Sequence, residues 1–241
     1  MLLIRPFPKP TDTLPNYLLR LTAANYYRNT MQLLRTNNYK LLNNRLPSKS
    51  VFFGNLDLQR VAQLANVSEK QISQLTFHRL KSIRCLAFQQ RFLIKALHLS
   101  GVRLCPQCYG ELGNIDFINS LTSKTYCTRH HCRLVYIHPQ TGNYLTWATD
   151  YLWRDAENWQ SLTNNEISDS EISINQHIEE LTHKPLLIEQ YPINLAEYCD
   201  LLEFFAHFLH VSDESEHSFR SNPITHFGLI RSPISVLSDH F

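Results

Sequence analysis

Cys105-Pro106-Gln107-Cys108 is answered eighteen residues later by Cys127-Thr128-Arg129-His130, so two pairs of soft or imidazole donors recur at the same two-residue gap. Two residues between ligands let one tight turn aim both side chains at a single ion, and four such donors match a tetrahedral structural zinc site. The spacing predicts one zinc ion held by Cys105, Cys108, Cys127 and His130. His131 and Cys132 crowd the same place and leave the fourth ligand open; either needs a longer loop than His130 does. A closed set of four ligands favours scaffolding over catalysis, because a catalytic zinc keeps one position for water. In small zinc modules such binding contributes about 10–16 kcal/mol of folding energy. The competing readings are a disulfide pair or donors that are neighbours by accident.

Other chemistry is poorly supported. A zinc deaminase needs His-x-Glu ahead of Pro-Cys-x-x-Cys, whereas His177-Ile178-Glu179 follows the cysteines and Leu104 stands in place of the proline. An acidic-triad nuclease needs carboxylates within its nucleic-acid-binding core, and residues 1–104 hold only Asp12, Asp57 and Glu69. Six glycines form no phosphate-cradling loop. The chain is expected not to be an enzyme.

The elements that must position the donors follow from pattern. Thr13 can cap a helix with Leu14, Tyr17, Leu18, Leu21 and Ala24 on one face, and a short helix from Thr30 to Arg35 packs back on it. Residues 37–55 read as a polar loop. Residues 57–76 read as a helix-turn-helix: Val61, Ala62, Ala65, Val67, Ile72 and Leu75 face inward, Asn66 suits a left-handed turn, and Ser68 with Gln71 forms a capping box. Lys70, Ser73 and Gln74 lie on its outer face, and Arg79, Lys81, Arg84, Arg91, Lys95 and Arg103 follow. An amphipathic helix from about Phe88 to Leu99 carries part of that run, with Phe88, Phe92, Leu93, Ala96 and Leu97 inward.

Beyond the ligands, residues 135–147 alternate around a Pro/Gly turn and predict a hairpin. Residues 150–175 are acidic and polar and read as a mobile connection. Asn194 and Glu197 cap a helix with Leu195, Tyr198, Leu202, Phe205 and Leu209 as its stripe; residues 211–241 read as loosely ordered.

The net charge of +2 conceals an uneven distribution: +13 over residues 1–104, +1 over 105–148 and −12 over 149–241. A basic half is an electrostatic footprint for a phosphate backbone; the plain alternative is that the halves neutralise each other by packing. Six cysteines, with Cys85 and Cys199 isolated, do not form a secretory disulfide framework, and no stretch approaches the roughly 20 apolar residues a membrane span needs. A protein of a reducing cytoplasm is expected. The expected architecture is mainly α with a small zinc-ribbon or treble-clef β element: a basic helical domain (1–104), a zinc-binding ribbon (105–148) and an acidic, partly helical region (149–241).

Arg5-Pro6, the helix from Thr13-Leu14 to Arg20-Leu21, the helix-turn-helix, and Cys105-Pro-x-Cys108 followed by Cys127-x-x-His130-x-x-x-Leu134 together resemble the TniQ/TnsD family of transposon target-site proteins over about residues 1–148. The resemblance implies that Cys105, Cys108, Cys127 and His130 bind zinc and that the helix-turn-helix is the family's own. Relatives with a second cysteine knuckle carry it where this chain has His138, Gln140 and Gly142, so one ion is expected. The length resembles short TniQ members of CRISPR-associated transposons. That implies a bacterial, nucleoid-associated adaptor that docks on an RNA-guided effector complex near target DNA, admits a homodimer, and recruits an AAA+ ATPase and through it the transposase. A TnsD-like protein would instead read an attachment-site duplex itself.

Overall fold

The computed structural model describes residues 2–37, 48–80, 83–113, 115–139, 141–147, 156, 159, 167–188 and 191–213. Its N-terminal part is a set of short capped helices. α1 (Leu14–Ala24) starts where the Thr13 hydroxyl accepts from the Asn16 amide, and α2 (Thr30–Thr36) where Asn29 accepts from Gln32. Both satisfy amides that a helix N-terminus leaves without partners. The loop expected over residues 37–55 contains a helix: Ser48–Phe52 forms α3, because Val51 and Phe52 find fully buried places, Phe52 edge-on to Trp147 at 5.4 Å. Residues 38–47 lie outside the described residues.

Residues 57–76 contain two short helices, α4 (Leu58–Ala65) and α5 (Glu69–Ser73). Asp57 caps the first, Asn66 ends it at φ 55° in the left-handed region, and Ser68 and Gln71 exchange backbone-to-side-chain hydrogen bonds of 2.9 and 3.3 Å. Val61, Ala62, Ala65, Ile72 and Leu75 turn inward and join Leu14, Tyr17, Leu18, Leu21 and Leu33 in one core.

The helix expected over residues 88–99 is a β-hairpin. β1 (His78–Arg79), β2 (Arg84–Ala87) and β3 (Gln90–Leu93) make a three-stranded antiparallel sheet in that order, followed by a 3-10 turn at Ile94–Ala96. Ala87 pairs with Gln90, so Phe88 and Gln89 are the whole turn, at φ 49° and 64°. Two left-handed residues are what a type I′ hairpin turn requires. Phe88 is kept there by stacking on Phe117 at 3.7 Å and meeting Phe77 edge-on at 5.8 Å.

The chain then passes through short bridges. Leu97 pairs with Leu121, Leu104 with Val135, and Ile137 with Tyr144, the last being the expected 135–147 hairpin. A Cβ on Gly101 would stand 2.8 Å from the Leu145 carbonyl, which explains a glycine at that crossing. α6 (Pro106–Leu112), β4 (Tyr126–Cys127) and β5 (Cys132–Arg133) carry the donors.

Part of the 150–175 segment, whose composition suggests a mobile connection, is ordered. Ala156 and Trp159 are buried in the larger core, and α7 (Asp169–Glu180) begins at Ser168, whose hydroxyl accepts from Glu171. β6 (Leu186–Ile188) and β7 (Tyr191–Ile193) form a small hairpin before α8 (Leu195–Asp213). Asn194 and Glu197 cap α8 reciprocally, at 2.9 and 3.1 Å. Leu195, Tyr198, Cys199 and Leu202 enter the larger core, while Phe205 is 37% exposed. That core gathers residues from Leu19 to Leu202. No helix among the described residues is long and apolar enough to cross a membrane.

Gln89 is exposed, and its left-handed backbone costs an L-residue about 1–2 kcal/mol. Gln89→Gly should therefore raise the melting temperature by about 2–4 °C in a thermal scan, a scale set by about 1 kcal/mol in a chain of this size. An unchanged or lower value would refute the hairpin turn.

Candidate metal centre

The first donor pair is built by a helix start. Cys105 is the N-cap of α6, its Sγ accepting from the Cys108 amide at 3.4 Å, and Pro106 occupies the first turn, where no amide donor is needed. The second pair is built by a tight hairpin: Cys127 ends β4, Cys132 opens β5, and their Cα atoms are register partners. Mutual hydrogen bonds between Leu104 and Val135, at 3.0 and 2.8 Å, hold the two segments side by side. The β element here is two-residue strands and isolated bridges.

Cys105, Cys108, Cys127 and His130 bring their donor atoms within 4.8 Å of one another, the one such group among the described residues. His130 Nδ1 lies 3.4, 3.1 and 3.7 Å from the sulfurs of Cys105, Cys108 and Cys127, and the Cys108 and Cys127 sulfurs are 3.7 Å apart. Zinc bonds of about 2.0–2.3 Å require tetrahedral edges of roughly 3.5–3.8 Å. Two of these separations, at 3.7 Å, match such edges and the two from His130 to Cys105 and Cys108 are shorter; the cluster could hold a metal ion.

The other face of His130 supports the same assignment. Its Nε2 meets the Glu111 carboxylate at 3.1 Å. A ligating histidine directs its second ring N–H to a carboxylate in this manner, which fixes the tautomer that leaves Nδ1 free to bind. Glu111 lies three residues after Cys108, so one turn of α6 supplies both a donor and the group that orients another. His131 turns away: at φ 52° its Nδ1 meets the Tyr126 hydroxyl at 2.8 Å. This separates His130 from His131, as the two-residue gap expects. His138 is 1% exposed and edge-on to Trp159, inside the core. Gln140 lies outside the described residues.

Crowding sets the electrostatics. Hydrogen bonding with the Cys108 thiol, and then with Cys132, pulls Cys105 down to about 6. Cys127 is lowered by Cys105, Cys108 and Cys132. Cys108 and Cys132 are pushed up by their hydrogen bonds to the same partners. Burial opposes a charge on His130, yet its hydrogen bonds to the Cys127 sulfur and the Glu111 carboxylate leave it raised.

A third element, which sequence reasoning missed, holds the hairpin. α7 presents Glu171, Asn175 and Glu179 at intervals of four. Glu171 takes both terminal nitrogens of Arg133 at 2.8 Å and the Thr125 hydroxyl at 2.6 Å. The Asn175 side-chain oxygen accepts from the Thr125 and Tyr126 amides at 3.0 Å. Glu179 pairs with Lys124, a fully buried cation, at 2.5 Å and also accepts from Thr128. Ser168 followed at the third position by Glu171 is the readable signal, a helix-start signature in a segment whose composition argues for disorder.

The residues expected at a nucleic-acid or effector surface separate into groups. Lys70 on α5, Gln74 at its C-cap, Arg79 on β1 and Arg91 on β3 are exposed. His78 and Arg91 share one cross-strand row through Leu86. Ser73 is half-buried and donates to the Lys70 carbonyl. Arg84 pairs with Asp200 at 2.6 Å and Lys95 with Glu203 at 3.5 Å, both on α8. Arg103 is directed inward to the Leu121 and Thr122 carbonyls, and burial lowers it to about 10. Lys81 lies outside the described residues. A cleft of about 600 Å³ adjoins the centre, between the β2–β3 turn, α7 and the backs of Cys105 and Cys108.

The TniQ family matches residues 3–134, and the chain belongs to that family. Membership ties it to target selection in transposition in general. No curated protein matches the chain.

Cys105→Ser or Cys127→Ser should abolish stoichiometric metal in purified protein and lower its melting temperature, as elemental analysis and a thermal scan would show. Glu111→Gln should keep the ion but weaken its affinity about 10–100-fold, the usual effect of losing the group that orients a ligating histidine. Equal metal content in wild type and the cysteine variants would exclude the centre.

Proposed function

We propose that this TniQ protein is an adaptor of transposition target selection that docks on an RNA-guided CRISPR effector complex and recruits the AAA+ ATPase, which brings in the transposase. The observation that carries the reading is charge left over after folding. Arg84, Lys95 and Arg103 are engaged within the protein, whereas Lys70, Arg79 and Arg91 are exposed on α5 and the sheet that follows it. Cations so placed suit a phosphate backbone, and contacts of that kind position a partner without reading sequence.

The ion is proposed to be zinc in a structural role: three thiolates and an imidazole at tetrahedral spacing leave no position for a reacting water. Phosphoryl transfer and strand joining then belong to partners. The second reading, a TnsD-like protein that recognises duplex DNA directly, is favoured by one feature. The α4–α5 pair is capped at both starts and joined through Asn66, a rigid mount for Lys70 and Gln74. Against it, α5 is five residues long and offers few side chains to a groove.

Co-purification of the full chain from its native host, with the bound nucleic acid sequenced, separates the two: guide RNA supports the adaptor, one chromosomal duplex the direct reader. Arg79→Glu with Arg91→Glu should weaken association with the guide complex and reduce its log–log salt slope by about 1 for each phosphate no longer neutralised. The melting temperature should stay at the wild-type value. Undiminished co-purification would remove this surface from the interface.

A further inference from the structure

Cys132 stands at the metal centre although it is outside both two-residue pairs. Its Sγ is 3.5 Å from that of Cys105, the length of one tetrahedral edge, it stands outside the four donors that lie within 4.8 Å of one another, and its Cα is the register partner of Cys127. It is 2% exposed and clusters with Cys105, Cys108, Cys127 and Leu134. We propose that Cys132 is a reserve donor of this centre, so that Cys105, Cys108 and Cys127 can be completed by either His130 or Cys132. The proposal rests on the reading that the cluster binds a metal.

The backbone explains how two residues at this short interval face one point. His131, between them, is left-handed at φ 52°, and this reversal sends its own ring to the Tyr126 hydroxyl while His130 and Cys132 both turn inward. Hydrogen bonding across the β4–β5 pair and to α7 fixes the Cys132 side of the turn: Arg133, the next residue, is held by Glu171, and the Leu134 amide donates to the Thr125 carbonyl at 2.8 Å. The His130 side rests on the hydrogen bond to Glu111, a carboxylate about half exposed. The reserve donor is thus on the more firmly held strand.

A tetrahedral ion takes four donors, so five candidates imply exchange. On exchange Cys132 gives up its thiol proton and becomes the sulfur ligand, His130 leaves and takes up a proton at Nδ1, and Glu111 still accepts from Nε2. The donor set passes from three sulfurs and one nitrogen to four sulfurs, with the thiol proton transferred to the departing ring.

The test uses the full-length protein loaded with Co2+, whose sulfur-to-metal absorption scales with the number of thiolate ligands. His130→Ala should keep one equivalent of metal and show about four-thirds of the wild-type band, as four sulfurs against three require. His130→Ala with Cys132→Ser should bind at least about 100-fold more weakly than His130→Ala, for a site left with three donors. Should the His130 variants fail to fold, Cys132→Ser alone decides: it should hand its ion to a competing chelator several-fold faster than wild type. Equal affinities for the two His130 variants, a band that does not grow, or an unchanged transfer rate in Cys132→Ser would each overturn the reserve-donor role. A wild-type protein that binds no metal would instead remove the centre on which it rests.

Discussion

One stripe of polar side chains on α7 determines where the donor hairpin sits. Glu171, Asn175 and Glu179 are spaced one helical turn apart, and each receives groups from the segment running from Lys124 to Arg133. The hairpin cannot place itself, because β4 and β5 are two residues each and a two-stranded ribbon is marginal even at greater length. The Asn175 carbonyl oxygen satisfies two backbone amides that would otherwise be buried without partners, and the Glu171–Arg133 pair fixes direction by its two-pronged geometry. α7 lies beyond the residues that match the family. The acidic segment therefore supports a hairpin that lies within the region matching the family.

The same contacts change the meaning of the charge asymmetry. Arg84 with Asp200 and Lys95 with Glu203 join the basic half to α8, and Lys124 with Glu179 and Arg133 with Glu171 join the middle segment to α7. The first two are about half exposed on the cationic side and add little stability each, about 0–1 kcal/mol. Their effect is on what is left for partners. A buried Lys124 has no such latitude, because a cation out of water must keep its carboxylate. Part of the asymmetry is thus internal complementarity, while Lys70, Arg79 and Arg91 are exposed to solvent.

Legibility in the sequence follows the range of the interaction. The Thr13, Ser68 and Asn194 caps, the left-handed Asn66 and the ligand pairs are set by neighbours within four residues, and each stands where its pattern predicts. The 88–99 stretch suggests a helix because Phe88, Phe92, Leu93, Ala96 and Leu97 also satisfy a helical period. Packing from Phe117 and Phe77, distant in sequence, selects the hairpin instead. α7 is hidden for a different reason: Glu171 and Asn175 share its buried face with Ile174 and Ile178 and meet partners about fifty residues away, so hydrophobic periodicity registers it only weakly. Arg103 reads as a surface cation because its carbonyl acceptors belong to the 121–122 turn, well separated along the chain.

The centre joins these pieces. α6 supplies Cys105, Cys108 and Glu111, the hairpin supplies Cys127 and His130, and the hairpin in turn is fixed to α7. An ion held by three thiolates and one imidazole would draw α6 and the hairpin together with an energy that short strands and a seven-residue helix do not possess. Loss of the ion would loosen the hairpin first, then its contacts with α7, and through α7 the packing of the acidic segment against the basic one.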